Sequence, residues 1–162
     1  MTADRVLEAA RAEVGYTETS EFDRRRRIWR RNLTKFAREA GHPNGYAWCA
    51  SFVAAVLRRC QSMTPPQVLS ASSRTMWAEA KRRGLAVPMR NVRPGDVVHM
   101  TRGPKGAWLG HVGFVESVDG QTLVTIEGEE PDSGPARWVG ITATIEEHLS
   151  QRMLHRSRSG VK

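Results

Sequence analysis

Residues 48–60 read WCASFVAAVLRRC and predict the helix around which the fold is arranged. Apolar side chains recur there every three to four positions, which is typical of a buried helical face. The turn-forming run HPNG at 42–45 comes just before. Cys49 therefore falls at the start of the helix, where free backbone N–H groups and the helix dipole favour negative charge.

A cysteine in this place has two interpretations. It is either a thiolate nucleophile favoured by the helix N-terminus, or a small buried hydrophobic residue. Cys60 is the only other cysteine. If both lie on one helix they are about 16 Å apart, which is too far for a disulfide. We therefore expect two free thiols.

Three further helices are predicted. Thr2 can cap the first, whose apolar face would include Val14. The second spans 23–41, with Asp23 as N-cap and Gly41 as C-cap. Six of the eight residues at 24–31 are arginine, so this helix would present an arginine-rich outer face. The third spans 73–84.

The second half of the chain changes to strand patterning. Short alternating segments bounded by turn residues lie at 93–100, 110–118, 122–128 and 137–145. Helices followed by strands predict an α+β fold, with the N-terminal helices packed on one face of a small antiparallel β-sheet.

The chain's length and charge set further limits. Its 162 residues fit one domain, which we place at 1–150, followed by a polar tail at 151–162 that we expect to be disordered. The net charge of +8 favours polyanionic partners. No stretch is long enough to span a membrane, and the N-terminus does not have the pattern of a signal peptide. Synthesis in the cytoplasm is therefore expected.

Two residues in the strand region could act with Cys49. His111 opens a strand on which it shares a face with Gly113 and Val115, while Val112, Phe114 and Val118 take the other face. A histidine can accept the thiol proton and return it to a leaving amine. Glu127 ends the next strand, where a carboxylate could orient the imidazole. Small Gly113 leaves room for close approach.

These motifs resemble the CHAP family of cysteine amidohydrolases and peptidases. The resemblance rests on GYAWCASFV, RPGDVVHM, GHVGFVESVDG and TIEG, in that order, and extends over about residues 5–145. It implies a papain-like fold, with Cys49 as nucleophile, His111 as base and Glu127 as the residue that orients His111. We expect Tyr46, Trp48 and Gly110, which flank these residues, to contact substrate.

The chain departs from the family at two places. Many members have Asn two residues after the acid, where this chain has Glu129. Some relatives bind calcium through N-terminal aspartates, but here Asp23 is followed by arginines, so no metal and no cofactor are expected. A zinc site of His42, Cys49 and His111 is an alternative that no known spacing supports. Without a metal, we expect His42 to be exposed in the turn at 42–45 and His99 to pack at a strand end.

The resemblance implies an endolysin-like peptidoglycan hydrolase, cleaving an amide bond in the peptide part of the wall as an amidase or endopeptidase. It would act at the bacterial cell wall as a monomer, with anionic wall polymers bound to its basic surface. Two alternatives remain open: a toxin effector or other cysteine amidohydrolase, and a basic nucleic-acid-binding module built on the arginine block. The second is disfavoured because Trp29 falls on the apolar face of the predicted helix.

Overall fold

The computed structural model describes residues 2–25, 28–44, 46–60, 69–102, 109–120, 122–128, 139–145 and 154–155. Its helices are α1 (Ala3–Arg11), α2 (Lys35–Ala40), α3 (Cys49–Cys60), α4 (Ser73–Arg82) and the short 3-10 helix η1 (Met89–Asn91). Its strands are β1 (Thr19–Asp23), β2 (Ile28–Leu33), β3 (Ala86–Val87), β4 (Val97–Arg102), β5 (Leu109–Asp119), β6 (Thr122–Gly128), β7 (Val139–Ile145) and β8 (Leu154–His155).

Within these residues the main sheet is six-stranded, in the order β3-β8-β4-β5-β6-β7. Every pairing in it is antiparallel. Strands β4, β5 and β6 follow one another in sequence and in space, so short connections suffice between them. Strands β1 and β2 form a separate antiparallel hairpin.

Helix α3 is the centre of the core. It packs against β5 and β6 and against the other three helices, and the Phe52 and Phe114 rings meet edge to face with centroids 5.8 Å apart. A smaller apolar cluster that includes Val98, Val115 and Leu123 packs with residues from β3 and η1. The predicted α+β architecture, with helices packed on a small antiparallel sheet, is confirmed, and it fits the papain-like arrangement.

The predicted helix over 23–41 is wrong for most of its length. The backbone forms β1, a turn and β2, and only Lys35–Ala40 is helical. Thr34, not Asp23, is the N-cap, since its Oγ1 accepts hydrogen bonds from the backbone N–H groups of Phe36 and Ala37. A run of arginines disfavours a helix because like charges three and four residues apart repel. The C-cap at Gly41, with φ 69°, is as predicted.

Helix α1 starts after Thr2 as predicted but ends at Arg11. Val14 therefore lies beyond the helical face and is 44% exposed. Glu13 is buried instead and pairs with Lys35 and Arg59. This ion-pair cluster joins the end of α1 to α2 and α3.

Two strand details also differ from the expectations. A β-bulge between Val115 and Ser117 shifts the alternation, so Val118 pairs with Leu123 and is 41% exposed. Residues 154–155, predicted to be part of a disordered tail, form β8 and pair with β3 and β4. Residues 151–153 and 156–162 lie outside the described residues.

In the described part of the chain, no helix is long and apolar enough to cross a membrane.

Candidate active site

Cys49 is the first residue of α3, as the sequence predicts. The helix begins there because the Phe52 N–H donates to the Trp48 carbonyl, at 2.8 Å, and closes the first turn. Cys49 is 5% exposed, and Cys60 at the other end of the same helix is also a free, buried thiol. Backbone N–H groups in the first turn of a helix have no intrahelical partner and favour an anion beside them.

His111 lies on β5 and connects the thiol to a carboxylate. The Cys49 side chain is near enough to the imidazole to raise its pKa, and Nε2 of His111 donates to Oε2 of Glu127 at 2.8 Å. Because Nε2 is engaged by Glu127, Nδ1 is the ring nitrogen left for the sulfur. The structure therefore brings Cys49, His111 and Glu127 together, with the imidazole next to both the thiol and the carboxylate.

The register between β5 and β6 produces this arrangement. Gly113 pairs directly with Glu127, and His111 precedes Gly113 by two residues, so its side chain lies on the same face of the sheet. A Cβ atom on Gly113 would lie 2.7 Å from Cγ of Glu127 and 2.9 Å from the Ile126 carbonyl oxygen. Glycine is therefore required if the Glu127 side chain is to take this path to the imidazole.

Thr125 is part of the site, although the sequence analysis did not identify it. Its Oγ1 donates to Oε1 of Glu127 at 2.6 Å, and Thr125 is 1% exposed. His111 and Thr125 thus each hold one carboxylate oxygen. Strand alternation was an available signal, because residues two apart on β6 share a face.

The electrostatics of the site favour a charged imidazole. Burial by itself would lower the pKa of His111, but its side-chain interactions with Cys49 and Glu127, which accept from the imidazolium, and their negative charges outweigh burial and raise the pKa to about 9. His111 is therefore an imidazolium at neutral pH, the form that can donate a proton to a leaving group.

The three residues expected to contact substrate lie in different environments. Tyr46 is 67% exposed and close in sequence to Cys49, so it is available to a ligand. Trp48 is 1% exposed and packs in the core, where its ring stacks on Phe36 at 5.5 Å between centroids. Gly110 is half-buried, and a Cβ there would lie 2.5 Å from the Ser73 Oγ atom. Gly110 thus allows β5 to approach α4.

Two other histidines, His42 and His99, have structural partners. His42, expected to be exposed, is partly buried, and its Nδ1 lies 2.9 Å from Oγ of Ser51. His99 is buried, as expected, and stacks on Trp77 with centroids 5.8 Å apart. Among the described residues, no group of three or more His, Cys, Asp or Glu side chains could hold a metal ion. Glu129 and its side chain lie outside those residues.

Comparison with known proteins identifies the family of the chain. The model of the CHAP domain family matches residues 41–129, which is more than half of the chain and includes the cysteine, the histidine and the glutamate. No curated protein and no solved structure matches the chain significantly. The chain belongs to the CHAP family, and this membership supports a hydrolase that acts on peptidoglycan.

Proposed function

We propose that this protein hydrolyses an amide bond in the peptide part of bacterial peptidoglycan, with Cys49 as nucleophile, His111 as acid and base, and Glu127 as the residue that orients His111. The placement of the His111 imidazole next to the Cys49 thiol and hydrogen-bonded to Glu127 carries the proposal. A thiol, an imidazole and a carboxylate in series form a known arrangement for acyl transfer to cysteine: nucleophile, acid and base, and the group that orients the base.

The first half of the reaction forms a thioester. The Cys49 thiolate attacks the amide carbonyl carbon, a C–S bond forms, and the carbonyl oxygen becomes an oxyanion. Backbone N–H groups at the start of α3, including that of Cys49, would hold this oxyanion. The His111 imidazolium then gives its proton to the amide nitrogen as the C–N bond breaks, and the amine leaves.

The second half of the reaction hydrolyses the thioester and releases the carboxylic acid product. Neutral His111 takes a proton from water, which attacks the thioester carbonyl, and the C–S bond breaks to return the thiolate and a carboxylic acid. Glu127 stabilises the imidazolium each time it forms and keeps Nδ1 directed at the sulfur. Tyr46 is the flanking residue best exposed to contact the peptide.

The test compares Cys49→Ala with Cys60→Ala on purified peptidoglycan. Cys49→Ala should lower the rate by about 10³-fold or more, because loss of one member of such a catalytic unit also removes the effect of the others. Cys60→Ala removes a thiol from the same helix and should keep the wild-type rate per folded molecule. Wall hydrolysis by Cys49→Ala at the wild-type rate would contradict the mechanism.

Mass spectrometry of the released fragments decides between amidase and endopeptidase. An amidase frees the stem peptide from the sugar acid, whereas an endopeptidase creates a new N-terminus within the stem or cross-bridge. An endolysin-like role predicts lysis when the protein is added to whole cells of a susceptible bacterium. Hydrolysis of proteins or small amides without any release from walls would favour the other cysteine amidohydrolases.

A further inference from the structure

Trp48 adjoins two residues of the proposed catalytic unit, one through the chain and one through the packing of its indole. Trp48 directly precedes Cys49 in the chain, and Gly128 directly follows Glu127. A Cβ atom on Gly128 would lie 2.6 Å from Cζ3 of Trp48, so the ring lies against the β6 backbone there. Since protein interiors are close-packed, a shift of this ring would displace both the nucleophile and the carboxylate.

The polar edge of the same ring is held by a distant carboxylate. Nε1 of Trp48 donates to Oε2 of Glu18 at 2.6 Å. Trp48 is 1% exposed, and a buried indole N–H requires an acceptor. A hydrogen bond to a carboxylate is both stronger and more directional than one between neutral groups.

The segment around Glu18 is itself anchored. Tyr16 meets the Trp48 ring edge to face, with centroids 6.1 Å apart, and its hydroxyl oxygen accepts a hydrogen bond from the backbone N–H of Lys35 at 3.1 Å. Glu18 therefore projects from backbone that is tied to α2, and it can hold the indole against a fixed support.

We propose that Glu18 is a positioning residue for the proposed catalytic unit: through Trp48 it sets the placement of Cys49 and Glu127 relative to His111. Glu18 acts through its hydrogen bond to the indole. The inference rests on the proposed function, but its central claim concerns the alignment of thiol and imidazole, which can be measured without a wall substrate.

The test uses Glu18→Ala and Glu18→Gln, with Glu8→Ala as a control for loss of an exposed glutamate from the same part of the chain. On peptidoglycan fragments, Glu18→Ala should lower kcat by about 10–100-fold with KM within about twofold, since a misplacement near 1 Å can cost that much. Glu18→Gln keeps an amide oxygen as acceptor and should recover most of the rate. Loss in KM alone, or equal loss in both variants, would overturn the proposal.

A second readout separates this inference from the choice of substrate. Alkylation of Cys49 by iodoacetamide, in a Cys60→Ala background, reports how the thiol is placed beside His111. At neutral pH, Glu18→Ala should be alkylated about tenfold more slowly than wild type, whereas Glu8→Ala should match wild type. Unchanged alkylation profiles would overturn the proposal even if wall hydrolysis is confirmed.

Trp48→Phe provides the remaining variant, because it removes the indole N–H while keeping an aromatic ring. It should show slowed alkylation of the same kind, and adding Glu18→Ala to it should have little further effect, as expected for two residues that act through one bond. If Glu18→Ala does not fold, Glu18→Gln and Trp48→Phe still decide the matter. Fully additive losses in the double variant would overturn the proposal.

Discussion

Gly113 lies so close to Glu127 that a Cβ atom at its position would stand 2.7 Å from the glutamate Cγ. The two residues are direct partners across β5 and β6. The contact shows that the path of Glu127 toward His111 depends on the absence of a side chain on the neighbouring strand.

Gly113→Ala should therefore misplace Glu127, lower kcat by at least about tenfold and destabilise the fold by about 1–3 kcal/mol through overpacking. Gly120→Ala is the comparison. Gly120 has φ 53° and nothing within 4 Å of its added Cβ, so that change should cost about 1 kcal/mol of stability without loss of activity per folded molecule. Urea unfolding and wall hydrolysis measured on both variants check this prediction, and full activity in Gly113→Ala would contradict it.

The raised pKa of His111, about 9, predicts the alkaline limb of the pH profile. Activity should persist above neutral pH and fall as His111 loses its proton near pH 9. Glu127→Gln removes the negative charge that supports the imidazolium and should move this limb to lower pH. The measurement is kcat/KM from pH 6 to about 10.5, a range that includes both the usual and the raised pKa of the histidine. An alkaline limb that does not move in Glu127→Gln would contradict the pairing.

The same shift links pH to stability. Because the pKa of His111 is raised in the folded state above its usual 6.5, its interactions stabilise the fold fully below about pH 6.5 and lose their effect as the pH rises through about 9. The difference in unfolding free energy between wild type and His111→Ala should therefore shrink over that interval. Chemical denaturation at several pH values measures it, and a difference that stays constant from pH 6 to 10 would be the contrary result.

Thr125→Val should weaken the site while keeping the side-chain shape. The change removes one donor to the buried Glu127 carboxylate, which should cost about 1–3 kcal/mol of stability and lower kcat by about tenfold or more. Thr125→Ser keeps the hydroxyl and should retain most of the activity. If Thr125→Val and Thr125→Ser have the same kcat for hydrolysis, the Thr125 hydroxyl has no part in holding Glu127.

The two thiols should differ in reactivity. Burial raises the pKa of Cys60, although the nearby Arg5 and Arg59 charges oppose the effect, whereas Cys49 lies beside the His111 imidazole, whose pKa is raised. Iodoacetamide at neutral pH should therefore alkylate Cys49 selectively in the folded protein. Peptide mapping by mass spectrometry identifies the labelled site, and Cys49→Ser should abolish rapid labelling. Faster labelling of Cys60 would show that the assignment of the reactive thiol is wrong.

The net charge of +8 should favour binding to anionic wall polymers. Hydrolysis of intact walls should then fall as salt rises from about 0.05 to 1 M, because the screening length shortens to about 3 Å. Hydrolysis of a small uncharged peptide substrate should change little over the same range. Equal salt dependence for the two substrates would exclude charge as the cause of wall binding. The nucleic-acid alternative is tested separately, by a gel-shift assay with DNA.

Local pattern was sufficient for much of this molecule. The apolar periodicity of 48–60 placed Cys49 at the start of α3, and the alternation at 122–128 defined β6 with its exact ends. Helix α3 is buried nearly all round and β6 on both faces. Each is an apolar run bounded by turn residues, so it can be recognised from its own residues. The residue types at the strand positions already suggested His111 and Glu127 as partners of Cys49, and the resemblance of the motifs implied the role of each.

The arginine-rich segment could not be assigned in the same way. Its apolar residues fit a helical spacing, yet the chain pairs Phe22 with Trp29 in a hairpin. Strand pairing depends on contacts between separate stretches of chain, which periodicity within one stretch does not reveal. For the same reason the β-bulge that turns Val118 outward was not foreseen.

The sequence by itself therefore determined which residue types could perform the chemistry and on which helix or strand each would lie. Only the tertiary structure decided how closely they meet: the register that opposes Gly113 and Glu127, the Thr125 hydroxyl on the carboxylate, and the Glu18 carboxylate on the Trp48 indole. Each of these contacts joins residues through the packing of side chains in three dimensions, and a hydrogen bond exists only when that packing brings two atoms to about 3 Å.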